Sequence, residues 1–135
     1  MPSLVVHQAV ATITREGSDK AADELGGQSY YNAPISVDGE PRGVLFGELR
    51  TLRVYEGDDG ATWDRQGIAT FRFSPRDSIV IAGVVTYPAG QMHSTNGKPF
   101  WRVITGGTGD FAGARGEVES VRSEDGTFTH TFNLL

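Results

Sequence analysis

The chain of 135 residues contains no cysteine. Disulfide staples, thiol catalysis and cysteine-based metal centres are therefore excluded. Its three histidines, His7, His93 and His130, stand far apart without ligand spacing. Neither a metal nor a cofactor is expected from such a set. Long apolar runs are missing as well, and nothing approaches the ~20 residues that span a bilayer. The opening Met1-Pro2-Ser3-Leu4-Val5-Val6-His7 lacks a basic stretch followed by a long apolar core. The expectation is a cytoplasmic protein with no membrane association. Positive charge is scarce: Lys and Arg total 12 against 17 Asp and Glu, a formal net charge of −5. Arg42, Arg50, Arg53, Arg65, Arg72 and Arg76 are scattered rather than clustered, so nucleic acid is not an expected partner.

What the sequence has instead is turn residues and β-branched runs. The 18 glycines punctuate segments that alternate with period 2. Strands are expected over residues 5–14, 28–37, 43–55, 62–73, 78–87, 100–105, 115–122 and 127–134. The junctions carry turn chemistry, as in Asp38-Gly39-Glu40-Pro41 and Ser74-Pro75-Arg76-Asp77. Residues 15–27 and 88–99 form the longer connections, polar and glycine-bearing, and are expected to be mobile and able to gate a cavity. Lys20 to Leu25 is long enough for one helical turn only. Sequential strands without a helical period imply an all-β, up-and-down antiparallel barrel of eight strands, one domain over residues 1–135. A barrel of that size encloses side chains or one small ligand, not a channel.

The most distinctive stretch is Ile104-Thr105-Gly106-Gly107-Thr108-Gly109-Asp110-Phe111-Ala112-Gly113-Ala114-Arg115-Gly116. Its glycines suggest a phosphate-binding turn, but that motif needs a following helix and a crossover to a parallel strand. Gly113 falls one residue late, and Gly113 and Gly116 weaken any helix. A glycine-rich corner between antiparallel strands fits better.

The pattern Gly-Gly-Thr-Gly-x-Phe-x-x-Ala-Arg-Gly resembles that of the dirigent proteins, and the strand layout before it is similar to the allene oxide cyclases. The resemblance covers the chain from about Val5 onward. It implies a barrel whose cavity holds a hydrophobic small molecule, and a homo-oligomer, trimer or dimer. Asn32 falls where the cyclases carry a cavity asparagine. Thr12 and Thr14 fall where those enzymes have a glutamate and an asparagine that hold a water, and a hydroxyl cannot replace a carboxylate as base. Arg65 replaces a cavity phenylalanine and Val85 a tyrosine, while Phe71 and Phe73 keep an aromatic pair.

The candidate catalytic residues are Asn32, Tyr30 and Arg65. Tyr30 and Asn32 share one strand face and offer a phenol and an amide to a substrate carbonyl. Arg65 would polarise a carbonyl or hold an enolate if it points inward, and is a solvated arginine if it does not. The candidate substrate-binding residues are Thr12, Thr14, Phe71, Phe73, Val85, Trp101, Arg115 and His130. His130 shares a face with Phe128 and Phe132; it is a cavity acid or base, or a hydrogen-bonded wall residue. Arg115 either contacts ligand or braces the glycine corner, and Trp101 either lines the cavity or packs elsewhere.

Two functional classes remain. One is a cofactor-free cyclase or isomerase that folds a polyketide-, fatty-acid- or terpenoid-like substrate, in natural-product biosynthesis. The bacterial cyclases of this barrel type are the nearest analogy. The other is a non-catalytic carrier, or a dirigent-like guide, of a hydrophobic ligand.

Overall fold

The computed structural model describes residues 3–14, 25–57, 60–88 and 94–135. Nine strands follow one another: β1 (Ser3–Gln8), β2 (Thr12–Thr14), β3 (Gln28–Val37), β4 (Glu40–Gly57), β5 (Gly60–Arg72), β6 (Ser78–Pro88), β7 (Phe100–Thr108), β8 (Gly116–Arg122) and β9 (Phe128–Leu134). Each of β3 to β9 pairs antiparallel with its sequence neighbour, and β1 pairs with both β9 and β3. β1 and β2 lie in succession along β3, so the wall is a closed eight-stranded antiparallel barrel. Closure removes the unpaired edges of an open sheet. The expected first strand, residues 5–14, is broken at residues 9–11, where the Ala9 N–H donates to the Pro34 carbonyl at 3.0 Å. Among the described residues the helical content is one 3-10 turn, Gly109–Phe111, and no helix is long and apolar enough to cross a membrane. The expected loop and helical-turn behaviour of residues 15–24 and 89–93 lies outside the described residues.

Alternation decides which side chains enter the barrel. On β3, Tyr31, Ala33 and Ile35 turn inward while Tyr30, Asn32 and Pro34 turn out. On β5 the inward series is Trp63, Arg65, Gly67, Ala69 and Phe71. The β3–β4 hairpin turns on Asp38 (φ 52°) and Gly39 (φ 80°), the two positive φ values that a two-residue hairpin loop favours.

One end of the barrel is solid. Val6, Ile35, Leu45, Phe71, Ile79, Ile81, Ile104, Val118 and Phe132 form one buried cluster. Phe71 meets Phe132 edge to face at 4.9 Å between ring centres. The glycine corner seals this end. Asp77 accepts the Asp110 N–H at 2.9 Å and the Ser74 hydroxyl at 2.9 Å, which holds its carboxyl below the usual range. Thr108 donates to the Arg76 carbonyl at 2.7 Å. A Cβ on Gly107 would strike the Phe111 and Ser78 carbonyl oxygens, so close backbone approach is what that position requires.

Candidate binding cavity

At the other end the described residues do not fill the interior. A cavity of about 140 Å3 lies among the end of β1, the starts of β3, β7 and β9, and the end of β6. Phe71, Ala69 and Leu45 form its floor, and Tyr31, Leu49, Phe100 and Phe128 stand around it. Val10 and Ile13 line it too, although both remain largely exposed (61% and 49%).

Glycine makes room for two of the lining side chains. Gly67 and Gly83 are partners across β5 and β6, and both sit at inward positions. The Arg102 side chain crosses into the vacated space: a Cβ on Gly83 would lie 3.0 Å from Arg102 Cγ, and one on Gly67 would lie 4.0 Å from Arg102 Nη1. Gly47 plays the same part for Tyr31, whose ring occupies the volume a Cβ would take.

The remaining wall is polar and comes from four successive strands in the barrel. Gln8 on β1, His130 on β9, Ser120 on β8 and Arg102 on β7 are all buried. Arg102 Nη2 donates to Ser120 Oγ at 3.2 Å. Ser120 Oγ lies 2.7 Å from His130 Nδ1, and His130 Nε2 lies 2.7 Å from Gln8 Oε1. With Gln8 Oε1 as acceptor, Nε2 carries the proton and Nδ1 accepts the serine hydroxyl. Burial, then the nearby Arg102 charge, then His7, hold the His130 pKa well below 6.5. The imidazole is therefore neutral at neutral pH, stacked on Phe128 at 5.7 Å and edge-on to Phe71 at 4.9 Å. Tyr87 adds a phenol whose pKa burial pushes up to about 12, Arg102 and Arg65 opposing that rise and Tyr31 adding to it. It stays protonated and can donate a hydrogen bond. The lining offers hydrogen-bond donors and a neutral imidazole with both nitrogens engaged. Among the described residues no group of three or more His, Asp or Glu side chains could hold a metal ion.

The sequence-derived candidates do not converge here. His130 and Phe71 do line the cavity. Tyr30 and Asn32 do not face it: they stand on the outer wall, where β2 places Thr14 and Thr12 opposite them, equally exposed. Register is the reason, because Tyr31, Ala33 and Ile35 take the inward parity of β3 and leave the outward parity to Tyr30 and Asn32. Arg65 points inward and is buried (1% exposed), but it lies between the Trp63 ring at 5.2 Å and the Tyr87 ring at 4.8 Å. Its Nε donates to Thr51 Oγ1 at 3.2 Å, and it supports Tyr87 from behind without lining the cavity. Phe73 belongs to the solid end, 5.1 Å from Phe111, and Val85 packs with Leu49 and Tyr87; neither lines the cavity. Trp101 is 52% exposed on the outer wall. Arg115 is exposed beside the glycine corner, at the opposite end from the cavity, and its carbonyl accepts the Leu135 N–H at 2.9 Å.

Sequence reasoning missed Gln8, Ser29, Tyr87, Arg102 and Ser120. The available signal was parity. Arg102 shares the inward phase with Phe100 and Ile104, as Ser120 does with Val118. A polar residue at an inward position beside an inward glycine on the neighbouring strand marks where side chains leave the packed core.

No family model matches the sequence, and no curated protein matches it. Solved structures do match in fold. A pyocyanin demethylase superposes with a TM-score of 0.68 at 21% identity, over 99% of this chain and 98% of that one. A pterocarpan synthase dirigent protein superposes with a TM-score of 0.60 at 17% identity, over 98% of this chain and 82% of that one. The fold is thus that of the dirigent-like barrels.

Proposed function

We propose that the protein binds a small, mostly apolar molecule in the open end of the barrel and acts there as an isomerase or cyclase. The observation that carries this reading is the cavity's composition: an aromatic and aliphatic floor facing one wall of buried, ordered polar groups. Its volume of about 140 Å3 is close to that of an engineered apolar cavity, ~150 Å3, that accepts benzene. One ring fits inside, and the remainder of a longer substrate would extend past Val10 and Ile13.

The chemistry the wall supports is orientation and charge stabilisation. Tyr87 and Arg102 present donors to an oxygen that gains negative charge as bonds shift within the substrate. Holding a flexible chain in one reactive conformer supplies the rest. The allene oxide cyclase and dirigent likeness, and the pyocyanin demethylase and pterocarpan synthase names of the fold neighbours, support a small organic substrate by analogy only.

A second reading is binding without conversion, or guiding of a reactive intermediate made elsewhere. The engaged state of both His130 nitrogens favours it, because no free base is evident among the described lining residues. Mass decides between the two. Isomerisation and cyclisation rearrange bonds without changing composition. Incubation with a metabolite extract of the producing cell should deplete one compound and raise another of identical mass and different retention. Recovery of a bound compound unchanged would assign the carrier role instead.

A further inference from the structure

We propose that the cavity's ligand carries an oxygen bound in anionic form, and that Arg102 receives it. This deepens the reading of the cavity as a ligand site and rests on it. The first observation is charge. Among the described residues the lining contains two guanidinium groups, Arg102 and Arg122, and no aspartate or glutamate. Arg122 is half-buried and donates to Asn96 Oδ1, which leaves Arg102 as the buried cation of the pair.

The second observation is hydrogen bonding. Arg102 is 8% exposed, yet its hydrogen bonds do not use all its donors: Nη2 meets Ser120, and Nε is buried without an acceptor. No carboxylate among the described residues lies within ion-pair distance of it. Its guanidinium carbon also lies 5.1 Å from the centre of the Phe100 ring. Buried charges are ordinarily paired, so a guanidinium kept this way at a cavity wall is completed by what enters the cavity.

The third observation is that the fold makes a place for this side chain. The inward glycines 67 and 83 leave the space it crosses. Ser120 accepts its Nη2 N–H and donates its own hydroxyl to His130 Nδ1, so the wall turns an acceptor to the guanidinium and both nitrogens of the neutral imidazole are engaged within it. A ring-sized molecule with a phenolate, enolate or carboxylate oxygen matches the volume and the charge together. In an isomerase the same contact would hold an enolate as it forms.

4-Nitrophenol tests this, because its neutral and ionised forms absorb differently. At a pH where the free dye is half ionised, adding the protein should increase the phenolate band. Burial alone favours the neutral phenol, so an increase requires a cation at the site. Arg102→Met should reverse the sign, and Arg122→Met should preserve it. A charge-assisted contact should also make benzoate bind roughly ten- to a hundredfold tighter than neutral benzamide. The dye response assigns a ring oxygen and the benzoate preference a carboxylate, and either supports the proposal.

Binding of the dye as neutral phenol, with benzoate no tighter than benzamide, would overturn the proposal while leaving the cavity as a ligand site. An undiminished phenolate response in Arg102→Met would overturn the assignment to Arg102. Absence of any binding, by spectrum and by amide shifts, would remove the cavity reading and this inference together. Should Arg102→Met fail to fold, the sign of the wild-type response and the benzoate preference still decide.

Discussion

At the solid end of the barrel, inward positions carry Val6, Ile35, Ile79, Ile81, Val118 and Phe132, and the glycine corner closes over them. At the cavity end the strands carry Gln8, Ser29, Tyr87, Arg102 and His130 around a space, with Ser120 hydrogen-bonded between Arg102 and His130. Alternation continues through both ends, although the β6–β7 pairs stop at Ala82 and Val103 and β1 ends at Gln8, so the difference lies chiefly in the side chains. Glycine shows it best. At the corner, glycine lets backbone meet backbone, as Gly107 does with the Ser78 and Phe111 carbonyls. Near the cavity, glycine lets a side chain cross the barrel, as Gly83 does for Arg102. One use stabilises the fold and the other shapes a site.

Removing bulk from the solid end gives the largest expected effect. Phe132→Ala deletes a fully buried ring and should cost about 3–5 kcal/mol in urea unfolding. Binding of 4-nitrophenol per folded molecule should persist. Parallel loss of binding and stability would show that the two ends are one unit.

A matched pair of glycine substitutions sharpens the comparison. Gly109 has φ +63°, and a Cβ there would overlap Asp77 Oδ1. Gly109→Ala should lose about 1–2 kcal/mol from the left-handed backbone alone, with dye binding unchanged. Gly83→Ala carries no such backbone penalty, and its stability should stay within about 1 kcal/mol of wild type. The added methyl must displace Arg102, so affinity for the dye should fall about tenfold, as for one lost charged contact. Melting temperatures and binding curves of the two variants should therefore change in opposite order. A Gly83→Ala protein with full affinity would separate Arg102 from the site.

Acid should act on the ends in sequence, with smaller effects. His130 is held below 6.5, so above that pH folded and unfolded chains both carry it neutral. As pH falls through 6.5 the unfolded chain takes up a proton that the fold refuses, and stability declines towards the folded pKa. Asp77 is held below 3.8, so its contribution is present above that pH and is lost only as pH falls further. Unfolding curves from pH 8 to 3 check the order. Histidine ring signals should show His130 still neutral at pH 6; a normal titration would contradict its burial in the relay.

The fold was legible because alternation and turn chemistry are local. Asp38-Gly39 specifies its hairpin, and Gln28–Val37 is a strand with the bounds its sequence suggests. The corner was legible too, since its glycines have no role in a helix. The candidate site was legible only in Phe71 and His130, because parity is a collective property. Asn32 was drawn inward by its resemblance to a cavity residue, whereas Tyr31, Ala33 and Ile35 fix the opposite parity. Arg65 was ambiguous within Trp63-Asp64-Arg65, and becomes clear only when the strand is followed to Ala69 and Phe71. Arg102 and Ser120 carried no motif at all. Their meaning comes from contacts across strands, which sequence separations of 18 and 10 residues do not reveal.

The claim that the open end holds the ligand is tested most directly by mapping amide shifts as 4-nitrophenol is added. The account predicts that the largest changes fall at Gln8, Tyr31, Leu49, Phe71, Arg102 and His130. Changes centred on the outer wall at Asn32, Trp101 and Val103, or on the glycine corner, with the interior unmoved, would contradict it.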